Sequence, residues 1–310
     1  MDRNGSSRTD SCIAVVIPTR NRPVLLGELI ENLSLVELKP YITVVVDSSD
    51  STRVEENQYT PNHIIFIKTE IKSASVQRNI GIDFLLSSQY SEGIELICFL
   101  DDDVLVPKKY FNVILENFMD NREIVGFSGV AKTTHNMQRK KFKRNIVSDW
   151  IGISGNAGTL TKAAVNISPV GLHQKSEVEW LIGCSTWRKE IFANLRFEEK
   201  FEGQSIFEDV IFSARARKSG KLVCDPELVF EHSMAPIGRD TTRHHYVKWV
   251  ENRNRIFDYD ICGVSRLHFY ILNIALLFES SLKAPFSYRE REKCFGIIIG
   301  IWRSIRLSRN

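Results

Sequence analysis

Short apolar runs alternate with helix-period segments through the first half of the chain, and this alternation limits the fold more than any other feature. The runs at 13–17, 42–46, 64–67, 94–100 and 124–130 are short and apolar, several of them rich in β-branched residues, as expected of strands buried on both faces. Between them, Leu25, Leu26, Leu29, Ile30 and Leu33 follow Pro23, which suits a first helical turn. Val76, Ile80 and Phe84 repeat at helical spacing, and Tyr110, Phe111, Ile114, Leu115 and Phe118 do the same after Pro107. Repeated strand-then-helix units predict an α/β fold. Its central sheet is mostly parallel, flanked by helices and Rossmann-like, and ligands bind beyond the carboxyl ends of the strands.

The residues just past each strand therefore carry the functional reading. They are Thr19-Arg20-Asn21-Arg22, Asp47-Ser48-Ser49-Asp50 and Asp101-Asp102-Asp103. Three polar clusters on one sheet edge would make one site. If the chain stays extended, Asp101 and Asp103 point the same way and Asp102 faces elsewhere. Three adjacent carboxylates repel unless a positive charge neutralises them, and a hard divalent cation with oxygen ligands is the natural candidate. The competing reading is a solvated acidic turn.

The second half is less regular. A basic run spans 139–144, a Gly/Ser/Thr-rich stretch spans 151–171, and order returns over 180–192, in a helix around 207–219 and in a strand near 228–230. The apolar stretches 267–278 and 294–302 predict a C-terminal helical tail. Both are shorter than the roughly 18–20 apolar residues that span a bilayer. The second leads into Arg303, Arg306 and Arg309, so it suits either an anionic lipid surface or a core or oligomer interface. The N-terminal residues 1–11 are polar and Ser-rich, without the apolar stretch of a secretory signal, and read as a frayed arm.

With 310 residues and 43% hydrophobic content the chain can bury a sizeable core. A net charge of +3 gives the whole molecule no strong pull toward nucleic acid. Six scattered cysteines without a C-x-x-C pair favour a reducing compartment.

Val15-Val16-Ile17-Pro18-Thr19-Arg20-Asn21-Arg22, Val46-Asp47, Gln77-Arg78-Asn79-Ile80-Gly81, Phe99-Leu100-Asp101-Asp102-Asp103 and Phe207-Glu208-Asp209 together resemble family-2 inverting glycosyltransferases with the A-type fold. The resemblance covers roughly residues 12–235, a catalytic domain with a nucleotide-sugar-binding half (12–130) and an acceptor-binding half (131–235). Residues 236–310 would form the helical extension.

The resemblance implies a nucleotide diphosphate-sugar donor. Pro18, Thr19, Arg20, Arg22, Asp47, Arg78, Asp101, Asp102 and Gly183 would contact it. Asp47 would meet the base, and a carboxylate suits the imide N–H of uracil or thymine. Arg78 would reach the diphosphate or order the aspartates, a structural ion pair being its alternative. Asp101 and Asp103 match the two-aspartate motif and would hold Mn2+ or Mg2+, with His232 a further ligand or simply a packed histidine. Asp209 would be the general base, with Glu208 next in line, although either acid can also cap the helix that follows. Trp180 would stack on an acceptor ring or belong to the core. Asn252-Arg253-Asn254-Arg255 resembles a recurrent family element, for phosphate contact or packing.

The implied setting is cytoplasmic glycoconjugate or surface-polysaccharide synthesis, peripheral to the inner face of a membrane, with oligomeric state open. A nucleotidyltransferase is the enzymatic rival, but it would place a Gly-rich loop after the first strand, and no glycine occurs here until Gly27. A non-catalytic nucleotide- or anionic-lipid-binding protein is the rival of another class.

Overall fold

The computed structural model describes residues 11–50, 63–133, 146–201, 205–233 and 241–307. Residues 1–10 of the expected arm, the basic run 139–144 and Arg309 lie outside them.

The first apolar run becomes β1 (Ile13–Thr19), buried throughout, and Pro23 opens α1 (Pro23–Ser34). β2 (Ile42–Asp47) and β3 (Ile64–Lys68) follow. α2 (Ala74–Ser87) starts where the Ser73 side chain accepts the Val76 backbone N–H, satisfying one of the donors a helix start leaves orphaned. Next come β4 (Leu96–Phe99), β5 (Val104–Leu105), α3 (Tyr110–Asp120) and β6 (Ile124–Thr133). The less regular half supplies α4 (Ile146–Ile151), β7 (Ser176–Val178), β8 (Thr186–Arg188), α5 (Glu208–Ala216) and β9 (Lys221–His232). Three helices close the described chain: α6 (Thr242–Asn254), α7 (Arg266–Lys283) and α8 (Tyr288–Leu307).

Among the described residues, one nine-stranded sheet runs in the order β3-β2-β1-β4-β8-β6-β9-β5, with β7 also paired to β9. β3, β2, β1 and β4 are mutually parallel. β8 enters antiparallel between β4 and β6, which restores the original direction in β6 and in β9 beside it. The carboxyl ends of β1, β2, β4 and β9 therefore lie along one edge, and that edge carries the site. β5 and β7 run antiparallel to β9.

Side-chain alternation along β1 divides the core between the two sheet faces. Ile13, Val15 and Ile17 pack with Leu26 and Leu29 of α1 and Phe111 of α3, whereas Ala14 and Val16 pack with Ile82 and Leu85 of α2. α2 lies close to the sheet because a Cβ on Gly81 would stand 2.5 Å from Val16 Cγ1.

The structure agrees with the expected α/β architecture and helical tail and corrects several details. The run at 228–230 is part of a 12-residue strand, and only 186–188 of the ordered stretch 180–192 is strand, followed by a 3-10 turn at Lys189–Ala193. β5 and β7 are too short to leave a periodic signature.

Candidate active site

One turn of α2 organises the strand ends. Gln77 Nε2 donates to the carbonyls of Thr19 (2.9 Å) and Val46 (2.6 Å), tying the ends of β1 and β2 together. Arg78 Nη2 donates to Asp101 Oδ1 at 2.9 Å, and its Nη1 pairs with Glu208 at the start of α5. Asn79 holds the backbone of Phe197 on both sides, through Nδ2 to the carbonyl (3.0 Å) and Oδ1 from the N–H (2.9 Å). Arg78 is buried. Burial alone would lower its pKa, but Glu208 and Asp101 hold it above the ordinary value.

The three aspartates after β4 do not alternate as an extended chain would, because 102–103 form a turn. Asp102 and Asp103 both face Arg22, whose Nη1 lies 2.9 Å from Asp102 Oδ1 and 3.6 Å from Asp103 Oδ2, while Asp101 turns to Arg78. The expected convergence of Asp101 and Asp103 away from Asp102 is therefore corrected. Asp102 also accepts the Thr19 hydroxyl at 2.8 Å. Burial raises its carboxyl to about 6 against the pull of Arg22 and Thr19. Asp103 instead meets His232: Val104 stands opposite His232 in the β5–β9 pairing, and Oδ1 lies 3.0 Å from His232 Nε2.

The pair stands at hydrogen-bonding distance, and its spacing also suits two ligands of one divalent cation. Two neighbouring ligands each about 2.1 Å from one ion sit about 3 Å apart, which is the Asp103–His232 separation. Among the described residues no three His, Cys, Asp or Glu side chains form a metal cage, so a cation here would take further oxygens from a bound ligand.

Asp47 ends β2 with Oδ1 accepting the Ser49 N–H (2.8 Å) and hydroxyl (2.5 Å) and Oδ2 facing Lys68 Nζ at 3.2 Å. Lys68 lies opposite Asp47 in the β2–β3 register, and a charged residue closing each of two adjacent parallel strands is its signal in the sequence. Pro18 is buried inside β1. Arg20 pairs with Asp50 at 3.1 Å on the exposed side of the edge.

Glu208 and Asp209 begin α5 after Phe207, which holds the left-handed conformation at φ 77°. A non-glycine residue there is strained, and such strain persists only where surrounding contacts fix it. Ile206, just before it, is held through its carbonyl by Asn252 Nδ2 at 2.7 Å, and Ser205 Oγ accepts the Ser75 N–H at 3.3 Å. The two acids then differ. Glu208 is buried against Arg78, and burial raises its carboxyl further than that of its neighbour. Asp209 is partly exposed, and among the described residues its carboxylate takes a backbone hydrogen bond from Val210 (2.8 Å) and no side-chain partner. Desolvation lifts it to about 6, Asp101 adding to the shift while Arg78 opposes it.

Gly183 lies over this cluster: a Cβ there would stand 3.1 Å from Arg78 Nη2 and 3.7 Å from Asp101 Oδ2. Trp180 is corrected. Only 4% exposed, it packs with Phe201, Phe207, Val210 and Ile256, and its indole N–H donates to the Ile167 carbonyl at 3.1 Å, so it offers no ring to an acceptor. Asn252-Arg253-Asn254-Arg255 is likewise a packing element. Arg253 is wholly buried, its Nε donating to the Ala164 carbonyl at 3.0 Å and its Nη2 to that of Ala163, and burial lowers its pKa to about 9.

Acids, a histidine and a buried arginine thus line the carboxyl edge of the sheet, where an open α/β sheet binds its ligand. The sequence matches the model of glycosyl transferase family 2 over residues 14–172, and the chain belongs to that family. Solved structures share the fold. S. aureus TarS 1–349 in complex with UDP-GlcNAc aligns over 93% of this chain and 79% of its own, at 12% identity and a TM-score of 0.59. The mannosyltransferase PcManGT from Pyrobaculum calidifontis, in complex with GDP-Man and Mn2+, aligns over 96% and 87% at 12% identity and 0.55. GalNAc-T7 with UDP, GalNAc and Mn2+ aligns over 91% and 53% at 14% identity and 0.57. A comparison with curated proteins finds no match.

Proposed function

We propose that this glycosyltransferase moves a sugar from a nucleotide diphosphate-sugar to a hydroxyl of a glycan or glycolipid acceptor, inverting the anomeric centre, with Asp209 as general base and Mn2+ or Mg2+ on Asp103 and His232. The reading rests on the contrast between two adjacent acids: Glu208 is locked to Arg78, whereas Asp209 is partly exposed and raised to about 6. A base that ionises just below neutrality can accept the acceptor's proton as the hydroxyl attacks.

Other residues fit supporting roles. Asp47 presents a carboxylate to a pyrimidine base, which favours UDP or dTDP donors. Thr19 and Arg22 fix Asp102 and thereby the turn that carries Asp103. Arg78 holds Asp101 beside the base-bearing helix start. A bound divalent cation would offset the charge developing on the leaving nucleoside diphosphate. The complexes of TarS with UDP-GlcNAc and of PcManGT with GDP-Man support a nucleotide-sugar donor without choosing its base, and the Mn2+ in PcManGT and GalNAc-T7 supports a divalent cation. Residues 12–130 would serve the donor and 131–235 the acceptor, in cytoplasmic glycoconjugate or polysaccharide synthesis.

The test is a screen of UDP-, dTDP- and GDP-sugars with Mn2+, read as release of nucleoside diphosphate, with the product anomer assigned by NMR. Release of pyrophosphate, or a product that keeps the donor's configuration, would overturn it.

A further inference from the structure

Among the described residues, the last two helices carry the most apolar surface left in solvent. Ile274 and Phe278 on α7 and Phe295, Ile298 and Trp302 on α8 are each at least half exposed, and Phe286, at the tip joining the helices, is 91% exposed. Their spacing on each helix places them along one stripe. Between the stripes lies an open groove of about 690 Å3, lined by Leu277, Phe278, Pro285 and Phe295 among others. The opposite sides of these helices are already used: Phe269 and Ile297 pack on Val250 of α6. α8 approaches α6 closely, a Cβ on Gly300 falling 2.7 Å from Val250 Cβ.

Charge identifies what covers the outward face. Residues 266–307 contain seven Lys and Arg against three Asp and Glu; Arg266, Lys293 and Arg303 lie against Phe257, Tyr246 and Glu251, while Arg291 and Arg306 stay with the outward face. Arg306 lies over the exposed Trp302 ring at 3.5 Å and Arg291 over Tyr288 at 5.8 Å, each cation beside an aromatic ring at the border of the apolar stripe. Apolar and aromatic side chains flanked by arginines match the boundary between acyl chains and anionic headgroups. A second copy of the chain would bring Arg291 and Arg306 of one face against the same cations of the other, like charge against like. No described helix is long and apolar enough to cross a membrane, so the surface would lie on the bilayer.

We infer that the outward face of α7 and α8, with Phe286 at its tip, is a docking surface for an anionic lipid bilayer. Flotation of the full chain with vesicles of phosphatidylcholine containing about 30% phosphatidylglycerol should recover it with the lipid, and pure phosphatidylcholine vesicles should recover about tenfold less. The side chains of Phe286 and Trp302 are mostly in solvent, so Phe286→Glu/Trp302→Glu should leave thermal unfolding and nucleotide release unchanged while lowering recovery by about tenfold or more. Equal recovery with neutral vesicles, or undiminished recovery of the double variant, would overturn the inference. So would a wild-type dimer in sedimentation that the double variant breaks without either protein floating.

Discussion

Arg78 in α2 and Glu208 in α5 form a buried ion pair across 130 residues of sequence, and the same guanidinium holds Asp101. Removing one partner leaves a charge buried without its counterpart, which costs about 3–5 kcal/mol. Arg78→Met should therefore lower unfolding stability in urea by about that amount, whereas Arg78→Met combined with Glu208→Met should recover a substantial part of it. Equal losses in single and double variants would show that the pair is not energetically coupled.

Asp209→Asn should lower kcat by about a hundredfold or more with donor binding retained. In the wild type Asp209 must be ionised to act, so kcat should fall as pH drops through about 6 and level off above it. The variant should lose this acid limb. If Asp209→Asn keeps both rate and pH profile while Glu208→Gln loses them, the base is Glu208.

Asp103→Asn and His232→Ala should each weaken Mn2+-dependent donor binding by about tenfold or more, measured by titration calorimetry with nucleoside diphosphate in the presence and absence of Mn2+. Binding that is equally metal-dependent in both variants would move the cation elsewhere.

Asn252→Ala should leave the Ile206 carbonyl without the side chain that now holds it, one residue before the strained Phe207. Losing a hydrogen bond on a partly buried carbonyl costs about 0.5–1.5 kcal/mol, and Asp209 should lose positioning as well as the fold losing stability. Expected is a fall in kcat larger than any rise in KM, and Asn252→Asp, which lacks the donor, should not rescue it. A rise in KM with kcat intact would assign Asn252 to acceptor binding instead.

The parallel half of the sheet was legible because its strands are apolar on both faces and end in polar clusters, so periodicity and position agree at Thr19, Asp47 and Asp101. Asp103 beside His232 was legible only through the family resemblance, since their meeting depends on the two-residue strand β5. The three aspartates misled because alternation holds only while a chain stays extended, and this one turns at Asp102. Trp180 left two readings open because a tryptophan serves a core as readily as a sugar site, and its burial and the Ile167 carbonyl taking its N–H decide for the core. Gln77 carried no signal by itself; its amide is interpretable only once Thr19 and Val46 are known to end neighbouring strands.

Through Gln77, Arg78 and Asn79 a single helical turn grips backbone or side chains contributed by β1, β2, the aspartate turn, the Phe197 segment and the start of α5. The segments before and after residue 130 are thus spliced rather than joined, and a gene fragment stopped at codon 130 would keep Arg78 beside Asp101 but strip it of Glu208. Swapping specificities between relatives would have to exchange the loops around this turn and leave the turn itself alone.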